Sequence, residues 1–290
     1  MSGKDWSRLA ILSLLWGGSF LFVAVALQGL PTLSVVWGRV GLGAGFLALA
    51  LWLSGTAFPR GFPAWRALAV MGLLNNAIPF TLFVLAQGRI SGGMASILNA
   101  TTPLWGVLLA HLLTEEKITV AKAAGLGCGF AGVVVMMGGA AMGDLWASLA
   151  CLGAAFSYGL AGIWGRRFRS LGVPPLATAF GQVASAAVML LPIWLLVDQP
   201  WSLPVPGLWV IGAVLAIATL STALAYLIYF RLLASAGATN LMLVTFLVPV
   251  SACLLGAIFL GDAILARQLA GFGLIAVGLA ALDGRVLKWR

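Results

Sequence analysis

Charge is scarce in this chain. Only 8% of its 290 residues are Asp, Glu, Lys or Arg, against 62% hydrophobic residues and a mean hydropathy of +1.10. A soluble domain carries about a quarter charged residues. With so few, the chain cannot cover a water-facing surface, and it is expected to be an integral membrane protein. Acids are scarcest: seven, all at the ends of apolar runs or between them (Asp5, Glu115, Glu116, Asp144, Asp198, Asp262 and Asp283). Proton relays in pumps use a carboxylate at mid-membrane. With none there, no clear proton or sodium site is present, and gradient-driven facilitation or weakly coupled export is expected.

Histidine is nearly absent too. The single one, His111, sits near the end of an apolar run and reads as packed or interfacial. HExxH, paired mid-membrane aspartates, a serine or cysteine beside a histidine and a glycine-rich phosphate loop are all missing, so little is left for acid–base chemistry and the chain is not expected to be an enzyme. The three cysteines, Cys128, Cys151 and Cys253, lie in apolar runs without CxxC spacing and read as small core residues, so no metal and no cofactor are expected. The net charge of +9 does not imply nucleic acid, because the basic residues fall in short connectors and at the ends, with no long block of one sign. The expected partners are the lipid bilayer and a small-molecule substrate. The oligomeric state stays open, and a monomer is compatible with the sequence.

What the chain does have is long apolar runs. A spanning helix needs about 20 apolar residues, and ten such runs are expected, at roughly 8–27, 33–54, 65–86, 92–113, 119–139, 145–165, 174–197, 207–232, 237–260 and 265–283. With the N-terminus in the cytoplasm, 13 of the 16 basic residues fall inside: Lys4, Arg8, Arg60, Arg66, Lys117, Lys122, Arg166, Arg167, Arg169, Arg231, Arg285, Lys288 and Arg290. Only Arg89 and Arg267 fall outside, while Arg39 lies within the second run. This bias predicts a multi-pass protein with both termini cytoplasmic. Lys4, Arg8 and Ala24-Val25-Ala26 imitate a signal peptide, but the segment is needed for the repeat described next and is expected to stay.

At an offset of 146 the second half overlays the first without a gap from the third run to the fifth: Pro103 meets Pro249, Glu116 meets Asp262, Gly125 meets Gly271 and Gly132 meets Gly278. Earlier in the chain the offset is 143, and "GLPTLSVVWGRV" reads against "GVPPLATAFGQV". Each unit holds five runs, an odd number, so the copies must insert in opposite orientations, an arrangement that builds transporters. The expected architecture is an all-α integral membrane protein: ten transmembrane helices as two inverted five-helix repeats around a central cavity. Residues 1–139 form the first repeat and 140–290 the second, within one transmembrane unit.

Polar residues inside the runs locate the pathway. In "LLNNAIPFTLF", Asn75 and Asn76 align with Ser221 and Thr222, Phe80 with Tyr226 and Phe83 with Tyr229, while Pro79 has no proline counterpart. Positions i, i+4 and i+7 share a helix face, so Asn76–Phe80–Phe83 and Thr222–Tyr226–Tyr229 form matching stripes. A second stripe, Ser96, Asn99, Pro103, Gly106 and Ala110, has as its counterpart Met242, Thr245, Pro249, Ala252 and Gly256. Proline in mid-span is tolerated where it faces protein or water, so Pro79, Pro103 and Pro249 are expected helix breaks or gating points. An unpaired amide in hydrocarbon costs several kcal/mol, so Asn75, Asn76 and Asn99 are expected to line a wet cavity, with Ser96, Thr222 and Thr245. Thr101, Thr102, Ser185 and Thr219 read as packing. Trp6, Trp65, Trp146, Trp201, Trp209 and Trp289 read as interfacial anchors. Trp16, Trp105, Trp164, Tyr158, Tyr226 and Tyr229 either line an aromatic pocket or pack. Glycines around 125–132 and 271–278 read as helix contacts, within the chain or between chains. Arg39, whose repeat partner is Gln182, either snorkels outward in a structural role, the preferred reading, or bonds a substrate carboxylate.

These features resemble the drug/metabolite transporter superfamily, in particular its EamA-type members. The resemblance rests on the two five-run copies, the "LLWGGSF" start, Pro103 and Pro249, the endings "LLTEEKIT" and "FLGDAIL", and the glycine-spaced runs from Gly125 and Gly271. Asp262 departs from the glutamate usual there. The resemblance implies a bacterial inner-membrane exporter working by alternating access, without catalytic residues. Together with the aromatic residues it favours amino-acid export of the YddG type, for aromatic and large neutral amino acids. Nucleosides, cationic drugs or a channel-like pore are the alternatives.

Overall fold

The computed structural model describes residues 2–137, 142–241 and 243–283. Met242, Arg285, Lys288, Trp289 and Arg290, which enter the readings above, lie outside the described residues. Among the described residues every element is helical. In chain order they are α1 (Gly3–Ala26), α2 (Thr32–Leu53), α3 (Phe62–Gly72), a π-helical segment (Leu73–Ala77), α4 (Ile78–Gln87), α5 (Gly92–Asn99), α6 (Thr102–Leu113), α7 (Val120–Met137) and α8 (Met142–Gly165). There follow α9 (Arg167–Ser170), α10 (Pro175–Val197), a 3₁₀ turn (Pro200–Ser202), α11 (Leu208–Ala218), a second π segment (Thr219–Leu224), α12 (Ala225–Leu241), α13 (Val244–Leu260) and α14 (Ala266–Asp283). Seven helical stretches are long and apolar enough to cross a membrane, and Lys122–Val135 and Leu247–Leu260 are shorter apolar helices. Trp6, Trp65, Trp146, Trp201 and Trp209 are all exposed, as membrane-interface anchors require.

Local chemistry sets the helix starts. Ser2 caps α1 through the Asp5 backbone N–H, and the Asp5 side chain accepts from the Ser2 backbone N–H at 3.0 Å, a reciprocal capping box. Asp5 also takes a 2.7 Å bond from Ser235 Oγ, tying α12 to the start of α1. α2 has no cap of its own. Asp198, at the end of α10, supplies one by accepting from both the Ser34 N–H (2.6 Å) and the Ser34 hydroxyl (2.8 Å), where a carboxylate also complements the helix dipole. Trp37 and Trp194 stack at 4.0 Å beside it, so α2 and α10 are joined by capping and by ring contact.

The interrupted helices have a proline and hydroxyl logic. The two π segments begin at Leu73 and Thr219, 146 residues apart, the repeat offset. In the first, Ile78 N–H bonds back five residues to Leu73. The next such bond would run from Pro79 to the Leu74 carbonyl, but proline has no N–H. Ser157 Oγ, from α8, donates to that carbonyl instead, at 2.6 Å. In the second, Ser221 Oγ donates to the Leu15 carbonyl of α1 at 2.6 Å. At the α5–α6 break, Pro103 leaves the Asn99 carbonyl without its helical donor, and the Thr102 hydroxyl bonds it at 2.8 Å. Pro249 behaves differently from expectation: α13 runs through it unbroken, and the departure from helical geometry lies upstream at Gly237, with φ of 77°.

Packing between the halves is reciprocal. α7 lies along α14, where a Cβ on Gly132 would sit 2.6 Å from the Gly271 carbonyl oxygen and one on Gly278 2.5 Å from that of Gly125. Gly125, Gly129 and Gly132 of α7 and Gly271 and Gly278 of α14 therefore form an internal contact. A Cβ on Gly38 of α2 would meet Val214 of α11 at 2.7 Å, and one on Gly181 of α10 would meet Leu68 of α3 at 2.5 Å. α1 packs on α13 and α8 on α4 and α6. Each half thus lends helices to the other, and a cavity lies between them.

Candidate functional site

The cavity measures about 880 Å³, at the upper end of the usual range for small-molecule sites. Part of its lining is buried, Phe20, Val23, Phe83 and Val84 among it. Gly165, Arg169, Gly172, Pro174 and Pro175, of the largely exposed α8–α10 connector, also line it.

The polar wall is built on the two π segments and the helices that cross them. Asn75 Nδ2 donates to Gln182 Oε1 at 3.0 Å and to the Tyr226 hydroxyl at 3.2 Å. Asn76 Nδ2 reaches the same hydroxyl at 3.3 Å from behind the wall, where it is fully buried. Opposite in the repeat, Arg39 Nε donates to Thr222 Oγ1 at 3.2 Å, while that hydroxyl donates to the Ile217 carbonyl at 3.0 Å. The Arg39 guanidinium lies 3.6 Å over the Phe80 ring, a cation–π contact. Repeat partners therefore do parallel work: Gln182 binds the first π segment and Arg39 the second.

An aromatic lining continues the wall. Trp16 meets Tyr229 at 5.6 Å between ring centroids, Tyr229 meets Phe230 edge-on at 5.1 Å, and Phe83 lies between Phe20 (5.8 Å) and Tyr158 (6.1 Å). Such contacts hold rings in place while leaving faces open.

Of the residues singled out from sequence, Trp16, Asn75, Phe80, Phe83, Asn99, Tyr158, Tyr226, Tyr229 and Thr245 line this cavity. Five are placed elsewhere. Asn76 and Thr222 lie one position behind the wall and hold it. Ser96 is fully buried and donates to the Gly93 carbonyl at 2.7 Å. Trp105 packs edge-on against Phe130 (4.9 Å) and Phe156 (5.3 Å). Trp164 donates to the Ala67 carbonyl at 3.0 Å and carries the Arg167 guanidinium over its ring at 3.2 Å. Thr102, read as packing, does reach the wall.

Arg39, Gln182, Ser19, Gln87 and Arg169 also line the cavity. For Arg39 and Gln182 the signal was there: the one charge inside a run, at the repeat position of a glutamine. Arg39 does not snorkel outward; its head group turns into the cavity. His111 is structural, its Nδ1 accepting the Ile118 N–H at 3.3 Å in the turn after α6. No metal-binding group of His, Cys, Asp or Glu occurs among the described residues.

The sequence model of a family described as "EamA-like transporter family" matches residues 7–138 and again 145–282. A transporter of Archaeoglobus fulgidus is 24% identical over 276 residues, covering 95% of this chain and 97% of its own. YvbV of Bacillus subtilis, also described as a transporter, is 26% identical over 285 residues, covering 95% and 90%. A "probable amino-acid metabolite efflux pump" of Salmonella typhimurium is 26% identical over 296 residues, covering 96% and 94%. A solved crystal structure superposes with a TM-score of 0.70 over 100% of both chains at 20% identity, a likeness of fold.

Proposed function

The chain belongs to the EamA-like transporter family, a multi-pass membrane transporter rather than an enzyme, and from that premise we propose that it exports amino acids, aromatic and large neutral ones included, across a bacterial inner membrane by alternating access. The observation that carries the reading is the cavity between the halves: large enough for an amino acid, aromatic along its length and polar at the two π segments. The Salmonella relative's printed name supports the substrate class.

The architecture that goes with this reading is ten spans in two inverted five-helix units, residues 1–139 and 140–290, with both termini cytoplasmic. Three observations support it: the family match occurs twice along the chain, the π segments begin 146 residues apart, and the crossings Gly38–Val214 and Gly181–Leu68 are reciprocal. In that topology the α8–α10 connector is cytoplasmic, so the cavity faces inward, open to the substrate it would export. Among the described residues no carboxylate lines the cavity, which favours facilitation down a gradient over proton antiport.

The test is counterflow in proteoliposomes loaded with phenylalanine. Saturable exchange of labelled phenylalanine, inhibited by tryptophan and leucine, is expected. Linear, non-saturating flux points instead to a pore. Uphill accumulation under an imposed pH gradient overturns the uncoupled mechanism.

A further inference from the structure

We infer that Arg39 is the specificity-determining residue of the cavity and that it selects substrates by their carboxylate, so that the transported class is the apolar monocarboxylate, with or without an α-amino group. This rests on the reading of the cavity as the transport site.

A guanidinium in a membrane-spanning helix is expensive unless it is paired or faces water. Arg39 has no carboxylate partner among the described residues; Arg8–Asp5 and Arg166–Glu116 are ion pairs of other residues. Its Nε is used by Thr222 and one face by Phe80. Those two contacts fix the plane of the group and leave its terminal nitrogens, the fork that binds a carboxylate through two parallel hydrogen bonds, without a hydrogen-bond partner among the described residues. A purely structural arginine would spend that fork on the protein.

The charge on the wall points the same way. Among the described residues the cavity is lined by Arg39 and, at the mouth, Arg169, with no acid. The enclosed potential is positive, which draws in anions and repels cations. An amino acid's carboxylate therefore has a partner of opposite charge, while its ammonium meets only neutral wall groups such as Asn75, Asn99 and Gln182. Removing the ammonium removes a repulsion and no ion pair. A 2-oxo acid should serve at least as well as the amino acid, and a bare amine should fail.

The experiment uses phenylalanine, phenylpyruvate and phenethylamine as competitors of labelled phenylalanine counterflow, and as ligands raising the thermal unfolding temperature of the purified protein. In the wild type, phenylpyruvate is expected to match or outdo phenylalanine, and phenethylamine to be weaker by at least about tenfold, the least that a charge-assisted hydrogen-bond pair contributes. Arg39→Gln is expected to weaken both carboxylates about tenfold or more and to close the gap to the amine, whereas Arg39→Lys keeps the order with weaker binding. Loss of a merely structural arginine would not erase a ligand order. Phenethylamine competing as well as phenylpyruvate in the wild type overturns the inference, whatever the variants do. So does an unchanged order in Arg39→Gln with phenylalanine still transported, which leaves the amino-acid reading standing. Phenylpyruvate stabilising the protein through Arg39 while phenylalanine is neither bound nor carried sustains the inference and overturns that reading.

Discussion

Tyr226 accepts a 3.2 Å hydrogen bond from Asn75 across 151 residues of sequence, linking the first π segment directly to the helix that follows the second. The same hydroxyl receives Asn76. Tyr226→Phe keeps the ring and its stacking on Phe230 but strips both amides of an acceptor. A loss of about 1–3 kcal/mol is expected for the buried group left without a partner. It should be read as a lower thermal unfolding temperature in detergent together with weaker phenylalanine counterflow.

The two serine hydroxyls that serve backbone carbonyls across the halves are a matched pair. Ser157→Ala leaves the Leu74 carbonyl with no donor, because Pro79 cannot supply one, and a loss of about 1–2 kcal/mol is expected. Ser221→Ala leaves the Leu15 carbonyl its ordinary helical options and should cost less. The double variant should be close to additive if the sites are independent. Thermal unfolding of the three variants checks this, and equal losses for both single variants would contradict the role given to Pro79.

Close contact of α7 and α14 depends on the missing side chains of Gly132 and Gly278. Gly132→Val places branched carbons against the Gly271 backbone and is expected to cost about 1–3 kcal/mol through overpacking. Gly127→Val, at a position with open space beside it, is the control and should be near neutral. Relative yields of folded protein and unfolding temperatures separate them.

Access to the cavity can be probed at its mouth. Thr178 lines it on α10, a few residues past the α8–α10 connector. In a background with Cys128, Cys151 and Cys253 changed to Ala, Thr178→Cys should react with a membrane-impermeant thiol reagent applied from the cytoplasmic face, and saturating phenylalanine should slow the reaction several-fold. Reaction from the opposite face alone would overturn the proposed topology.

The helical class, most span positions and the polar stretch at Asn75–Asn76 were legible in the sequence. The azimuth of individual side chains was not. Where core and lipid are both apolar, a helix needs no strong amphipathic signal, so Trp105 and Trp164 looked as cavity-facing as Trp16. Adjacent residues point about 100° apart on a helix, so the asparagine pair could not both face one space: Asn75 does, and Asn76 braces it. Prolines also mislead when read alone. Pro103 coincides with a break, where the Thr102 hydroxyl takes over the carbonyl it leaves, while Pro249 sits inside a continuous helix. The π segments have no motif of their own; only their common offset shows that Asn75–Asn76 and Ser221–Thr222 occupy equivalent wide turns.

In the proposed inverted-repeat architecture Arg39 and Gln182 hold matching places, and they differ by a full unit of charge. If the proposed alternating access exchanged the roles of the halves, the site open to one face would not be the electrical twin of the site open to the other. Detailed balance forbids a facilitator from shifting the final distribution of its cargo, but it permits unequal half-saturation on the two sides. The carrier would then behave as a kinetic rectifier, filling readily from one compartment and emptying readily into the other.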